Sequence, residues 1–168
     1  AYGGGRGTPD SPYLIYTADQ LNTIGVVTGD LGRHFQLMAD IDLSGFTGDA
    51  FNIIGTGWNR AFEGVFDGNG YVIANFRYDA PSREFAGLIG FVEDAEIKDL
   101  GLLDPNVSAG SMTGALVGRN YGKITDCYVQ GGSVVANGSF VGGLVGVSEG
   151  GSLSMCYSST DVSGVGSV

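Results

Sequence analysis

The chain has 168 residues, with 31 glycines, 43% hydrophobic residues and a formal net charge of −10 at pH 7. The hydrophobic fraction excludes a disordered glycine linker, and the negative charge argues against nucleic acid as a partner because a polyanion is repelled. Two cysteines are too few for a disulfide scaffold or a zinc ribbon, and no apolar run approaches the roughly 18 residues that insertion into a membrane requires.

The first predicted element is a short amphipathic helix in "YTADQLNTIG". Thr17 followed by Gln20 fits a capping box. Leu21 and Ile24 fall on one face, and Gly25 is expected to end the helix. A helix ahead of irregular strands is suited to cap a stack of strands, whose open edge would otherwise recruit other chains.

Three segments with strand character follow: "HFQLMADIDLSG", "FNIIGTG" and "FEGVFDGNGYVIANFRY". The "DGNG" stretch, Asp67 to Gly70, predicts a tight turn. Residues 64–73 echo "GLIGFVEDAEI" further along the chain and are expected to form a divergent earlier coil. Residues 1–84 are therefore interpreted as a leader with a capping helix and irregular first coils.

This front part contains two candidate ligand sites. Asp40 and Asp42 share one face of a strand and, with Asp67, are weak calcium candidates; the alternative is that they are solvated turn carboxylates. Trp58, in "GTGWNRAFEG", is either a ligand contact or part of the packing of the core or cap.

Three copies of one unit make up residues 85–168, beginning at Phe85, Thr113 and Val141, 28 residues apart. Matching positions carry the same kind of residue, as stacked core positions would require. The aligned sets are Leu88, Leu116 and Leu144; Ile89, Val117 and Val145; Gly90, Gly118 and Gly146; Ile97, Ile124 and Leu153; Leu100, Cys127 and Cys156; and Val107, Val134 and Val162.

Each copy has short apolar runs between turn residues and no helical stripe, and it is too small to bury its own apolar face. Stacking one copy per coil, about 4.8 Å apart, solves this and predicts an all-β parallel β-helix with a short N-terminal helical cap. A propeller is disfavoured because its blades need about 40 residues. Residues 166–168 match the start of another copy, so the array is expected to continue.

Residues 146–150 fit the G-x-S-x-G pattern of a nucleophile elbow. Ser148, however, takes the place of Asn120 and Val92 in the other copies, and no helix follows it. The single histidine, His34, lies far upstream. The pattern is therefore interpreted as a repeated turn or strand end.

Two stacked aspartates, Asp99 and Asp126, raise the alternative of acid–base catalysis, because close carboxylates shift each other's pKa. The competing interpretation is a pair of solvated turn residues, since the third copy has Met155 there. Such an enzyme would also need lysine or arginine in the same groove.

Two further pairs are expected to stack in neighbouring coils. Cys127 and Cys156 are expected to form a thiol ladder rather than a disulfide, because Cβ vectors of parallel neighbours are rarely suited to a bond. Tyr128 and Tyr157 either pack on each other or, if exposed, hold sugar rings.

Two sequons mark candidate glycosylation sites at Asn106 and Asn137. They fall within about three residues of each other in successive copies, which suggests a turn. Whether they are modified depends on the host.

"GALVGRNYGKITDCYVQGGSV" and "GGLVGVSEGGSLSMCYSSTDV" resemble the GLUG repeat, named for its Gly-Leu-x-Gly core. "GTPDSPYLIYTADQLNTIG" and the strand segments after it resemble the leader of such repeats in large bacterial surface and secreted proteins. The resemblance covers nearly the whole chain. It implies a right-handed, pectate-lyase-like parallel β-helix, an extracellular or cell-surface location, and a role in adhesion or surface architecture.

We therefore expect a non-enzymatic structural or adhesive module without a cofactor. Its expected partners are surface glycans or copies of itself stacked end to end as filaments. The alternatives are a glycan-binding module that uses Trp58, Tyr128 or Tyr157, and a polysaccharide lyase or hydrolase that uses Asp99 and Asp126.

Overall fold

Parallel strands stack into a β-solenoid of about five turns in the computed structural model, which describes residues 1–165. All pairings between its named strands are parallel, which confirms the predicted all-β parallel β-helix. The one α-helix among these residues is α1 (Ala18–Val26). The strands are β1 (Tyr13–Ile15), β2 (His34–Leu37), β3 (Ile41–Asp42), β4 (Val65–Asp67), β5 (Val72–Ala74), β6 (Arg77–Asp79), β7 (Ile89–Leu103), β8 (Asn106–Ala109), β9 (Thr113–Gly114), β10 (Val117–Ala136), β11 (Val141–Gly142), β12 (Val145–Ser148), β13 (Ser152–Ser154) and β14 (Tyr157–Gly164).

The capping helix forms as its sequence predicts. The Thr17 hydroxyl accepts a hydrogen bond from the Gln20 N–H at 3.3 Å. The Gln20 side chain accepts in return from the backbone N–H of Tyr16 at 2.7 Å, one residue earlier than in the standard capping box. Leu21 and Ile24 are completely buried, so the helix closes the core with the face that the sequence indicates.

Gly25 does not end the helix, contrary to the prediction, because α1 continues to Val26. The glycine has another function. A Cβ atom at Gly25 would collide with the backbone carbonyl of Asn52. The missing side chain therefore allows the helix to approach the chain that follows it.

The outer edge of the first strand is covered by the glycine-rich N-terminal segment. Gly3 donates its N–H to the Leu14 carbonyl at 2.8 Å, and Leu14 donates to the Gly4 carbonyl at 3.0 Å. The Tyr2 ring packs against Tyr13 with a centroid distance of 4.4 Å. These contacts use the strand's free hydrogen-bonding groups, which protects an edge that would otherwise pair with other chains.

The predicted ladders are present and extend further than the sequence indicates. Ile97 lies opposite Ile124, and Ile124 lies opposite Leu153. In the other direction, Ile97 lies opposite Phe66, which lies opposite Phe35. The other registers confirm the sets that contain Ile89, Val117 and Val145, and Val107, Val134 and Val162. Parallel pairing therefore continues across the boundary at residues 84 and 85.

The earlier coil at residues 64–73 exists, but its predicted register is wrong. Phe66 pairs with Ile97 and Ile73 pairs with Leu102, whereas the "GLIG" stretch lies opposite Ile54. The "DGNG" turn is a corner between β4 and β5, which do not pair with each other, and not a hairpin. Because a corner leads to a new sheet face, the chain advances without reversing.

The two ends of the repeat differ in what the structure describes of them. Ala86, not Phe85, lies opposite Thr113, whereas Ile89 lies opposite Val117 as aligned, so the register shifts by one residue between these pairs. The predicted start of another copy at residues 166–168 lies outside the described residues. No helix in the part of the chain that the structure describes is long and apolar enough to cross a membrane.

Candidate functional site

An aromatic cluster packs on the outside of the coils, apart from the core. Val92 belongs to the main core cluster, whereas its neighbour Phe91, although fully buried, does not. Phe91 lies opposite Arg119 of the next coil. The Tyr121 ring lies 5.8 Å from the Phe91 ring. The register of the coils thus places two aromatic rings and a guanidinium side by side.

Trp58 covers this cluster. Its ring centroid lies 4.6 Å from that of Phe91 and 5.2 Å from that of Tyr121. The Arg119 guanidinium carbon lies 5.2 Å from the centre of the Trp58 ring, which is within cation–π range. Trp58 is nevertheless 54% exposed, whereas Phe91 is fully buried. The indole is therefore fixed on its inner side and open to solvent on its outer side.

A charged network holds Arg119 in place. Its guanidinium donates hydrogen bonds to the Glu149 carboxylate and to the Tyr121 hydroxyl. The Tyr121 hydroxyl donates to Glu149 at 2.6 Å. This hydrogen bond, together with that from Arg119, lowers the pKa of Glu149, and it raises the pKa of Tyr121. Glu149 therefore stays ionised and compensates the charge beneath the indole.

The turn at residues 58–60, here called the Trp58 ridge, separates two hollows. The larger has a volume of about 410 Å³ and lies between the ridge and the loop at residues 28–32, with Glu63 in its lining. The smaller, of about 290 Å³, lies on the side of Thr56 and Gly57. Within residues 1–165 neither Arg60 nor Glu63 forms an ion pair. The ridge thus combines an exposed aromatic ring with free polar groups.

The sequence predicts Trp58 as a candidate contact, but it does not predict that Phe91, Tyr121 and Arg119 support the indole. The aligned repeats do contain a signal for Phe91 and Arg119, since both occupy the second position after the Leu-Ile or Leu-Val pair, and stacking makes them neighbours. Nothing in the spacing indicates that Trp58 lies above them, because its loop is not part of the repeat.

The two tyrosines pack on each other. The rings of Tyr128 and Tyr157 lie 5.3 Å apart at an interplanar angle of 7°. The other side of Tyr128 lies against Gly101, where a side chain would collide with the ring. Gln130 donates a hydrogen bond to the Tyr157 hydroxyl at 2.9 Å. The pair therefore stabilises the sheet, and Tyr157, which is 52% exposed, remains a candidate glycan contact.

The stacked aspartates are corner residues. Asp99, Asp126 and Met155 have φ angles of 52°, 54° and 52°, and all three are exposed. Aspartate adopts this left-handed conformation more readily than most residues. The neighbouring lysines have carboxylate partners of their own: Lys98 lies 3.9 Å from Asp67, and Lys123 lies 3.2 Å from Glu96. Backbone conformation thus accounts for the aspartates.

The calcium candidates bind separate groups. Asp40 accepts from the Val72 N–H at 2.9 Å, and Asp42 accepts from the Asn75 side chain at 3.0 Å. Asp67 accepts from the Asn69 N–H at 2.7 Å. Within residues 1–165, no group of three or more His, Cys, Asp or Glu residues is placed to hold a metal ion.

Ser148 lies where the repeat places it. It is the last residue of β12, opposite Asn120, and its hydroxyl accepts from the Asn120 side chain at 3.1 Å. Asn120 is completely buried and also accepts from the Gly122 N–H at 3.0 Å. Ser148 is itself exposed and caps the amide of the buried Asn120, as the interpretation of a repeated strand end expects.

The turn predicted at the sequons is present at Asn137, which lies in a bend after β10, and absent at Asn106. Asn106 begins β8 and lies opposite Ser133, whereas Asn137 follows β10, four residues beyond Ser133. Ala109 and Ala136 are the last paired residues of these two strands. Asn106 therefore lies within the paired segment, whereas Asn137 lies just beyond it. Both asparagines are exposed, and their glycosylation stays a prediction.

The cysteines are free, and they are expected to react differently. Burial raises the pKa of the Cys127 thiol to about 12, and its side chain is 1% exposed, whereas Cys156 is only partly buried. Because the thiolate is the nucleophile, iodoacetamide should alkylate Cys156 in the native protein and Cys127 only after unfolding. Mass spectrometry of chymotryptic peptides measures both rates, because cleavage after Tyr128 separates the two cysteines. Equal rates in the native state would contradict the stacked arrangement.

Comparison with known proteins supports the fold. Residues 109–135, which include most of β10, match the family model described as the GLUG motif. Over 98% of its length the chain superimposes with a TM-score of 0.70 and 24% identity on 62% of a chain described as a "putative immunoglobulin A1 protease" from Bacteroides ovatus. This likeness shows the fold. The chain is therefore a parallel β-solenoid that contains the GLUG motif.

Two relatives are more similar in sequence. The chain is 38% identical over 149 residues, 85% of its length, to "Halomucin" of Haloquadratum walsbyi. It is 38% identical over 136 residues, 77% of its length, to a "Putative Gly-rich membrane protein" of Evansella cellulosilytica. It spans only 2% and 16% of the lengths of these relatives.

Proposed function

We propose that this chain is a non-enzymatic structural and adhesive module of a cell-surface protein. One observation carries the proposal: the ladder from Phe35 through Phe66, Ile97 and Ile124 to Leu153 has one residue per coil. Such an array is a stiff rod that lengthens by duplication of one unit. The names of the two relatives, a halomucin and a Gly-rich membrane protein, favour a surface location.

The last described coil is suited to receive another. Leu153 and Val162 are 43% and 38% exposed, although their ladder partners Ile124 and Val134 are completely buried. A further coil of the same repeat would cover both side chains. Filaments of separate chains are a variant of the proposal, and they would require the covering segment at Gly3 and Gly4 to leave the first strand.

Insertion of one more coil tests the proposal. A second copy of residues 113–140, placed directly after residue 140, should fold and lengthen the particle by about 5 Å, the spacing of neighbouring strands. Small-angle X-ray scattering measures the length, and thermal unfolding measures the stability, which should not fall. The control is an insert of the same composition in scrambled order, which should unfold the chain. If the native insert unfolded the chain as the scrambled insert does, the modular rod would be contradicted. Electron microscopy tests the filament variant separately.

A further inference from the structure

We propose that the Trp58 ridge binds a neutral polysaccharide chain. The inference rests on the proposed adhesive function and names the class of molecule to which the module adheres. Trp58, the one tryptophan of the chain, is exposed and lines two hollows. An indole that presents its face to water is suited to pack against the C–H face of a pyranose ring.

The indole is held in one position before any ligand arrives. Phe91, Tyr121 and the Arg119 guanidinium support its inner side. Ordering a side chain on binding costs conformational entropy, and a ring that is already fixed avoids most of this cost.

The backbone of the ridge is equally constrained. Thr56 donates to the Arg60 carbonyl and Arg60 donates to the Gly57 carbonyl, both at 2.9 Å. Gly55, with a φ of 66°, approaches the backbone of Phe91 so closely that a Cβ atom there would lie 2.6 Å from its carbonyl oxygen. This tight corner fixes the ridge to the coil beneath it.

The polar groups of the ridge and of the larger hollow match a neutral sugar. Arg60 supplies donors, Glu63 supplies acceptors and Asn59 supplies both, as ring hydroxyls require. The charges of Arg60 and Glu63 cancel, and the chain as a whole carries −10, which repels a polyanion such as a uronan.

The shape of the site favours a polymer over a single sugar. Trp58, Asn59 and Arg60 line both hollows, of about 410 Å³ and 290 Å³, so a ligand that occupies both must pass over the ridge. The larger volume falls within the roughly 300–1,000 Å³ of typical ligand sites. We therefore infer that one sugar packs on Trp58 and its neighbours occupy the hollows.

Affinity electrophoresis of the full chain tests this inference. Gels contain mannan, xylan, mixed-linkage glucan, polygalacturonate or no polysaccharide. We expect at least one neutral polymer to retard the native chain, and its soluble oligosaccharides to change the fluorescence of the single tryptophan. Trp58→Ala should weaken the retardation at least tenfold, and Trp58→Phe should retain part of it. Circular dichroism confirms that each variant is folded.

Tyr157→Ala tests the other exposed candidate contact. Tyr16→Ala is the matched control, because Tyr16 is 44% exposed and lies outside the ridge. It should bind as the native chain does. Absence of retardation in every neutral gel, stronger retardation by polygalacturonate, or a loss caused by Tyr157→Ala and not by Trp58→Ala would each overturn the inference. None of these outcomes affects the coil-insertion experiment, which tests the rod without any sugar.

Discussion

Replacing Gly118 with alanine is expected to destabilise the chain by about 3 kcal/mol, the upper range for overpacking a close-packed interior. A Cβ atom at this position would lie 2.6 Å from the Gly90 carbonyl oxygen and 2.8 Å from that of Met112. Both oxygens are backbone atoms, so no side-chain rotation relieves the collision. The coils would have to separate locally, which weakens the ladder hydrogen bonds on both sides.

Gly45→Ala is the control for this prediction. A Cβ atom at Gly45 has no heavy atom within 4 Å, so the substitution should change the free energy of unfolding by less than about 0.5 kcal/mol. Urea unfolding followed by circular dichroism measures both variants. If Gly118→Ala proved as stable as Gly45→Ala, close stacking would not explain the glycine.

The same reasoning explains the last glycine of the Gly-Leu-x-Gly motif. Gly90, Gly118 and Gly146 repeat it in successive coils, and a Cβ atom at any of them would collide with backbone atoms. None of the three has a positive φ, so the requirement is space and not backbone conformation. The last glycine of the motif is therefore required by the short distance between coils. The motif does not by itself form a ligand-binding loop.

The sequence predicts the fold where the repeat keeps its length and residue types. Ile97, Ile124 and Leu153 are recognisable as one ladder because like residues recur at nearly constant spacing. Phe35 and Phe66 belong to the same ladder, but their residue type differs and the loops between the early coils vary in length. Register in that region depends on three-dimensional contacts, which periodicity does not reveal.

The candidate site was predictable only in part, for a similar reason. The composition of its loop identifies Trp58, and the repeat places Phe91 beside Arg119. The corner at Gly55 is what brings the loop above these residues. At Gly25 the sequence predicts a local feature that does not form. Glycine preference indicates a helix end there, whereas the close approach of Asn52 is what requires the glycine.

The second large effect is expected from Phe66→Ala, which should destabilise the chain by about 4 kcal/mol. Phe66 is completely buried and stacks between Phe35 and Ile97 in the register of the coils. Removing the ring leaves a cavity that the stacked strands have little freedom to fill. Because each coil contacts only its neighbours, the loss should weaken the junction between the capped first coils and the repeat.

Leu153→Ala, in the same ladder, is the comparison for Phe66→Ala. Leu153 is 43% exposed, so its truncation should cost about 1 kcal/mol or less at concentrations where light scattering shows a monomer. Urea unfolding gives both free energies, and hydrogen exchange locates the weakened strands. A cost for Leu153→Ala as large as that for Phe66→Ala would contradict the exposure of Leu153 in the monomer. The difference between the two free energies of unfolding therefore measures how much more a ladder residue stabilises the chain when it has a coil on both sides.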